Sequence, residues 1–204
     1  MKLFYMPGAC SLSDHIALEW AGADYQLEKV ARDRLKSPEF LAVNPCGAVP
    51  ALEVEPGWVL TENVAILQLI AARHPDAKLA GGNERERLEV LRWTANLASD
   101  VHKAFLPLFA PQRFVEGEEA TEMLKRKAAE NVRAQLARVN EALAGRRFLV
   151  GDARSVADAY LYVILRWADG MQLGLADFPE LARFKAAMDQ DPAVRRALAA
   201  EGLS

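Results

Sequence analysis

The chain has 204 residues, of which 51% are hydrophobic and 26% charged, so it can bury a sizeable core as one large domain or two small ones. Its formal net charge of -3 and isoelectric point near 5.7 argue against bulk electrostatic binding of nucleic acid, because neutralising phosphates requires a basic face. No apolar run approaches the roughly 20 residues of a membrane span, so no membrane association is expected.

The N-terminal residues and the cysteines indicate the cellular compartment. The apolar residues that follow Met1 stop at Pro7, which is too early for the apolar region of a signal peptide. The chain has two cysteines, Cys10 and Cys46, and two in a chain this long do not make a disulfide framework. A reducing compartment is the better interpretation, and we expect a cytoplasmic protein.

The first part of the chain alternates strand and helix patterns. Short apolar or alternating segments predict strands, and helices are marked by Ser or Thr before them and Gly after them. In chain order, the predicted elements are strand 3–6, helix 13–21, strand 25–30, a short helix opening at 37–39, paired strands 50–54 and 58–60, and helix 64–72. This order, βαβ followed by ββα, predicts an α/β domain.

The pattern becomes almost entirely helical after a turn at residues 81–83. Helices are predicted over 84–110, 118–144, 155–169, 179–190 and 192–200. Ser155 and Asp158 have the spacing of a capping box in front of the third of these helices. The sequence therefore predicts an α/β domain over residues 1–76, followed by an all-α domain over residues 84–204.

Cys10 is the first candidate for chemistry. It follows a strand and a turn, and it precedes Ser11 and Asp14, which have capping-box spacing. If Ser11 is the N-cap, the sulfur lies at the positive end of a helix, which stabilises a thiolate and lowers its pKa below about 8.5. An inert, buried cysteine is the alternative of equal weight. Because no Cys-x-x-Cys pair is present, a mixed disulfide with a small thiol is a better candidate than an intramolecular redox cycle.

Two backbone features are candidate ligand clamps. A cis peptide bond before Pro50 would expose the backbone N–H and C=O of Val49 to an extended peptide, although an ordinary edge proline is more common. Glu62 and Asn63 precede a helix, whose N-terminus attracts a carboxylate while the Glu62 side chain attracts an ammonium group. A free α-amino acid end carries both groups. The alternative for these residues is a solvated helix cap.

The histidines and the second cysteine carry weaker signals. His102, followed by Lys103, is the only one of three histidines in the predicted helical domain, and alone it would more often be structural or solvated. His15 and His74 are expected to cap a helix or to lie on the surface. Cys46 lies in a Pro-Cys-Gly turn, and we interpret it as partly exposed and incidental.

Taken together, these segments resemble the bacterial beta-class glutathione transferases over residues 1–204. The matching segments are Met1-Lys-Leu-Phe-Tyr, Pro7-Gly-Ala-Cys-Ser-Leu, Val43-Asn-Pro, Val49-Pro-Ala-Leu, Leu60-Thr-Glu, Ala65-Ile, His102-Lys, Pro107-Leu-Phe, Val156-Ala-Asp-Ala-Tyr-Leu, Leu165-Arg-Trp and Ala200-Glu-Gly-Leu. Each segment is short, but their order and spacing make the joint match specific. The resemblance implies a thioredoxin-like domain followed by a helical domain, the architecture that the patterns predict independently.

The resemblance also implies roles for individual residues. Cys10 would lie beside the sulfur of glutathione, and Cys10 and His102 are the implied catalytic residues. The implied glutathione-binding residues are Cys10, Val49, Pro50, Glu62, Asn63, Ser99, His102, Lys103 and Arg34. Arg34 is one of three candidates, with Arg32 and Lys36, for the contact to the glycine carboxylate. The implied pocket for an apolar second substrate consists of Phe105, Phe109, Tyr160 and Trp167, and helix core is an equally good interpretation for each of them.

Several positions depart from the family pattern, among them Ala95, which stands where members often have Asn, and the loop before Pro38, which is shorter than usual. Asn63 stands where members commonly have Ser or Gly, and its backbone can make the same contact while its amide adds another. Cys46 stands where members usually have Lys, which removes a charge near the site and adds a thiol.

The function that the resemblance implies is conjugation of glutathione to hydrophobic electrophiles, with thiol–disulfide exchange through Cys10 as a second activity. Glutathione would be a co-substrate, without a prosthetic group or a metal, and the protein would be a homodimer that binds neither nucleic acid nor membranes. A non-catalytic interaction module with the same fold is the alternative, because fold alone does not determine function.

Overall fold

The computed structural model describes residues 1–203, and within them four strands form one sheet. The strands are β1 (Lys2–Tyr5), β2 (Gln26–Lys29), β3 (Ala51–Glu55) and β4 (Trp58–Thr61), in the spatial order β2-β1-β3-β4. β1 pairs in parallel with β2 and antiparallel with β3, and β3 pairs antiparallel with β4. The mixed sheet confirms the predicted order βαβ followed by ββα.

Three helices accompany the sheet: α1 (Ser11–Ala21), α2 (Pro38–Val43) and α3 (Asn63–Arg73). Successive residues of a strand point to opposite faces of a sheet. Accordingly, Leu3 belongs to the large core that includes α1 and α3, whereas Phe4 packs with Phe40 of α2 in a smaller cluster on the other face. The sheet is therefore covered on both sides, by α1 and α3 on one face and by α2 on the other.

The remaining helices are α4 (Glu84–Asn96), α5 (Leu106–Phe109), α6 (Glu118–Ala142), α7 (Val156–Gly170), α8 (Pro179–Asp189) and α9 (Pro192–Glu201). The prediction of one helix over 84–110 is wrong, because a π-helical segment, Leu97–His102, follows α4 and a short gap separates it from α5. Pro107, which has no N–H to donate, sits in the first turn of α5 and favours a restart of the helix there. The other four predicted helices are present with slightly shifted ends.

The helical part shares one core with the sheet part. The buried helix α7 packs against α1, and α9 also packs against α1, so their side chains join the core that includes Leu3. The predicted capping box of Ser155 and Asp158 is formed at the start of α7. The domain limits 1–76 and 84–204 stay predictions, and Ser204 lies outside the described residues.

Among residues 1–203, no helix combines the length and the apolar character that are needed to cross a membrane.

Candidate functional site

A cavity of about 350 Å³ lies where the sheet part meets the helical part. Its lining comes from the start of α1, the loop before β3, the start of α3, the π-helical segment, α5 and α7. The lining residues are Cys10, Asn44, Cys46, Ala48, Val49, Pro50, Glu62, Asn63, Val64, Ala98, His102, Lys103, Leu106, Phe109 and Tyr160. The structure thus brings together most of the residues that the sequence analysis singled out, although they come from distant parts of the chain.

Cys10 lies at the N-terminus of α1, but the predicted capping box is wrong. The helix begins at Ser11, Cys10 is the capping residue, and no side chain caps the first turn. The Ser11 hydroxyl instead donates to the carbonyl of Met6 at 3.4 Å, and the Ser13 hydroxyl donates to the carbonyl of Cys10 at 2.7 Å. The hydroxyls therefore hold the loop in front of the helix, and Asp14 is left buried below it.

The expected lowering of the Cys10 pKa is also wrong for this site. Burial, and to a smaller extent the buried carboxyl of Asp14, raise the pKa of the thiol to about 12 against the opposing effect of backbone N–H groups. The thiol donates toward the carbonyl oxygen of Val49 at 3.6 Å, a contact that favours the protonated form. The positive end of α1 is present, but it does not outweigh removal of the sulfur from water.

The peptide bond between Val49 and Pro50 is cis, as one of the two alternatives proposed. The loop before it is held by Asn44, whose amide donates to the carbonyl of Ala48 at 2.6 Å and whose side-chain oxygen accepts from the backbone N–H of Cys46 at 3.0 Å. This side chain keeps the loop against the cavity, and sequence reasoning did not identify it.

Glu62 caps α3 in an unusual backbone conformation. Its φ is 71°, in the left-handed region that favours glycine, and a non-glycine residue there costs on the order of 1–3 kcal/mol. No side chain caps the first turn of α3, so its N–H groups remain available to a ligand. The exposed Glu62 carboxylate lies beside these N–H groups, so the start of α3 offers a negative group and the positive end of a helix side by side.

The amide of Asn63 turns away from this corner and into the protein. It donates to the carbonyl of Cys10 at 3.1 Å, to the Ser13 hydroxyl at 2.7 Å and to the Asp14 carboxyl at 3.0 Å. Asn63 therefore links the start of α3 to the start of α1. Its backbone, rather than its amide, is the part that can meet a ligand.

His102 is held between two aromatic side chains of α7. Its Nδ1 atom is 2.7 Å from the hydroxyl of Tyr160, and its ring centroid is 4.6 Å from that of Trp167. Burial and, to a smaller extent, the charge of Lys103 lower the pKa of His102 to about 4. The imidazole is therefore neutral at pH 7.

The four aromatic residues of the expected second-substrate pocket divide into two pairs. Phe109, which is 42% exposed, and Tyr160 line the cavity. Neither Phe105 nor Trp167 lines the cavity. Phe105 is fully buried, whereas Trp167 is partly buried against the core and donates its indole N–H to the carbonyl of Gly8 at 2.8 Å. For Phe105 the core interpretation was the better one.

Three residues that were expected to contact glutathione do not line the cavity. Arg34 is exposed and pairs with Glu39 at 3.3 Å, and Arg32 does not line the cavity either. Ser99 is exposed and donates to Asp100 at 2.6 Å.

The neighbourhood of Cys46 also differs from expectation. Cys46 is an exposed free thiol that lines the cavity, a position that the interpretation as incidental did not anticipate. Lys36 donates to its carbonyl oxygen at 2.7 Å. Of the three cationic candidates, Lys36 is therefore the one with a direct contact to a cavity residue.

The sequence analysis missed a buried network that holds the loop before Cys10. His15 was expected to cap or to lie on the surface, but it is fully buried, and its Nδ1 is 3.0 Å from the Glu201 carboxylate of α9. The second oxygen of Glu201 accepts from the N–H of Gly8 at 3.0 Å. Since Trp167 donates to the carbonyl of the same glycine, both polar groups of Gly8 are held by helices of the second domain. A separation of 186 residues leaves no local pattern that could reveal this pair.

Comparison with known proteins identifies the family. The family model described as "Glutathione S-transferase, N-terminal domain" matches residues 1–72, and the model described as "Glutathione S-transferase, C-terminal domain" matches residues 69–192. The chain is 42% identical over 205 residues to glutathione S-transferase GST-4.5 of Xanthomonas campestris pv. campestris, with 100% of both chains covered.

Two solved structures support the same family assignment. The glutathione S-transferase of a sphingomonad, in complex with glutathione, is similar with a TM-score of 0.89 and 45% identity over 100% of both chains. The bacterial beta-class glutathione S-transferase of Sphingomonas chungbukensis is similar with a TM-score of 0.89 and 40% identity, again over 100% of both chains. The chain therefore belongs to the glutathione S-transferase family, in agreement with the resemblance to its bacterial beta class.

Proposed function

We propose that this protein binds glutathione in the cavity between its two parts and conjugates it, through its sulfur, to apolar electrophiles. The observation that carries the proposal is the joint presence, around one cavity in a member of this family, of Cys10, the cis peptide bond after Val49, Glu62 and His102. A non-catalytic module is not favoured, because it would not need to keep all four.

The proposed pose follows the charges of the cavity. The γ-glutamyl end carries a carboxylate for the free N–H groups of α3 and an ammonium group for Glu62. The backbone of Val49 pairs with the cysteinyl part, whose sulfur then points toward Cys10 and His102. Lys36, rather than Arg34, is our candidate for the glycine carboxylate, since it contacts the loop that lines this end of the cavity.

The chemistry requires a glutathione thiolate, which attacks the electrophile and displaces its leaving group or adds to its double bond. The electrophile is expected to contact Leu106, Phe109 and Tyr160, which supply apolar surface. We therefore expect a preference for hydrophobic second substrates.

A homodimer is part of the proposal. Leu88 and Leu91 are 60% and 43% exposed on neighbouring turns of α4, and Trp58 of β4 is 42% exposed. These apolar side chains are suited to burial against a second copy. The cytoplasmic location stays a prediction, supported by the two free thiols.

Replacing Glu62 with glutamine is expected to weaken glutathione binding about tenfold to a hundredfold. The variant keeps the shape of the side chain and loses the charge that would pair with the ammonium group, and charge-assisted hydrogen bonds are worth about 1.5–3 kcal/mol. Isothermal titration calorimetry with reduced glutathione measures the loss.

Glu55→Gln is the matched control for this variant, because Glu55 is exposed at the end of β3 and outside the cavity. An equal loss in both variants would contradict the proposed role of Glu62. Absence of binding by the folded wild-type protein would overturn the proposed function itself.

Thiol–disulfide exchange is a second candidate activity, because the Cys10 thiol itself lines the cavity. The Cys10 thiolate would attack one sulfur of oxidised glutathione, forming a mixed disulfide and releasing one glutathione thiolate. In a Cys46→Ala variant we expect one glutathionyl adduct by intact mass, formed faster as the pH rises because the pKa of Cys10 is raised.

The double variant Cys10→Ala with Cys46→Ala is expected to carry no adduct. In the wild-type protein, peptide mapping would contradict the assignment if it found the adduct only on Cys46, which is the more exposed thiol.

A further inference from the structure

Tyr160 was assigned above to the apolar pocket, but its hydroxyl makes a specific contact. The residue is 1% exposed in α7, and its hydroxyl oxygen is 2.7 Å from Nδ1 of His102. Among residues 1–203, neither of these two atoms has another hydrogen-bond partner in the structure. The direction of this one hydrogen bond therefore decides where both protons lie.

The two possible directions differ in what they leave unpaired. If Nδ1 carried the imidazole proton and donated it, the phenol proton of Tyr160 would have no acceptor among residues 1–203, which is unfavourable. If the phenol donates instead, Nδ1 accepts with its lone pair, and the proton of the neutral ring is on Nε2. The second arrangement satisfies both groups.

The ring of His102 is also fixed in orientation. The Trp167 ring packs on it at a centroid distance of 4.6 Å, and the Tyr160 ring meets it edge-on at 88°. Because Nδ1 is engaged with Tyr160, Nε2 is the ring nitrogen that His102 can offer to a ligand in the cavity it lines with Cys10.

We infer that Tyr160 is a positioning residue that holds His102 in the neutral form protonated on Nε2, so that His102 donates a hydrogen bond to the sulfur of bound glutathione instead of removing its proton. The donor role rests on the proposed function, whereas the position of the proton does not. The thiol proton then passes to bulk water, and the Nε2–H group stabilises the thiolate that remains.

Nitrogen-15 NMR of the histidine side chains tests this directly. The chain has three histidines, and a His102→Asn variant identifies the signals of His102. In the wild-type protein at pH 7 we expect His102 to show a protonated Nε2 and an unprotonated Nδ1. Protonation on Nδ1 instead would overturn the inference.

Tyr160→Phe removes only the donating hydroxyl. We expect the His102 signals to move toward a mixture of the two neutral forms, and the pKa of His102 to rise above its wild-type value of about 4. We also expect kcat with a small apolar electrophile to fall about tenfold with little change in KM for glutathione. Unchanged His102 signals in this variant would overturn the inference, whatever happens to the rate.

Tyr25→Phe is the matched control. The hydroxyl of Tyr25 donates to Glu19 at 2.5 Å, and its ring lies 5.6 Å from that of His15, so it perturbs a different histidine. The signals of His102 should be unaffected by this variant.

Addition of glutathione separates the inference from the proposed function. A shift of the Nε2 signal of His102 on binding supports the donor role, and no shift despite binding seen by calorimetry overturns it. Absence of binding overturns the proposed function. Protonation of Nε2 in the free protein would still support the role of Tyr160 as a positioning residue for His102.

Discussion

Replacing Glu201 with alanine is expected to lower the free energy of unfolding by about 3–5 kcal/mol, because two hydrogen-bond donors lose their acceptor at about 1–3 kcal/mol each. The Glu201 side chain is fully buried, with one oxygen on Nδ1 of His15 and the other on the N–H of Gly8. Its removal leaves the buried His15 ring and the partly buried N–H of Gly8 without this acceptor. Urea denaturation followed by tryptophan fluorescence measures the loss.

The same variant is expected to bind glutathione more weakly, because Gly8 lies two residues before Cys10 in the loop that Glu201 holds. Glu201→Gln should lose less stability, since the amide oxygen can still accept from Gly8, although His15 must then change the nitrogen that carries its proton. Glu119→Ala, on the exposed side of α6, is the control. A Glu201→Ala variant as stable as this control would contradict the importance of the network.

Replacing Asp158 with alanine is expected to have an effect of similar size, about 3–5 kcal/mol. One carboxyl oxygen accepts from the backbone N–H of Leu149 at 2.9 Å, and the other accepts from the N–H and hydroxyl of Ser155, each at 2.8 Å. Two buried backbone N–H groups would lose their only acceptor at the start of α7. Thermal or urea unfolding measures the loss, with the exposed Asp152→Ala as control.

The pH dependence of this effect has a definite sign. Burial raises the pKa of Asp158 to about 6, above its unfolded value of about 3.9. The contribution of its carboxyl is therefore fully present below about pH 4, and it decreases as the pH rises toward 6. Compared with Asp158→Asn, which does not titrate, the wild-type protein should have a larger advantage at pH 4 than at pH 7, and the opposite order would contradict the raised pKa.

The strands and helices of this protein were predictable where the local pattern is strong. Alternating apolar residues and the turn at Gly57 specified the β3–β4 hairpin, and Ser155 with Asp158 specified the start of α7. The break between α4 and α5 was not predictable, because apolar periodicity continues through Leu97–His102 while the backbone takes a wider turn. The segment packs against α6 and α7, which are distant from it along the chain.

The residues that form the candidate site were easier to predict than their chemical properties. The resemblance brought Cys10, Glu62 and His102 to one cavity, yet the pKa of Cys10 rises where a helix N-terminus alone predicts a fall. The spacing of neighbouring residues predicts that Cys10 lies at a helix N-terminus. It does not predict how deeply the thiol is buried, because burial depends on residues far along the chain. Helical periodicity also does not predict which of Phe105 and Phe109 lines the cavity. Their ring centroids are 5.8 Å apart, and only Phe109 lines the cavity.

The number of residues in the π-helical segment affects which side chains line the site. An α-helix turns by about 100° per residue, and the wider turn of Leu97–His102 changes the phase of every side chain that follows. His102 and Lys103 line the cavity in that changed phase. A homologous chain with one residue fewer here could keep every amino acid of the site and still turn His102 away from it. In this family an alignment gap at residues 97–102 therefore carries as much functional meaning as a substitution of His102 itself.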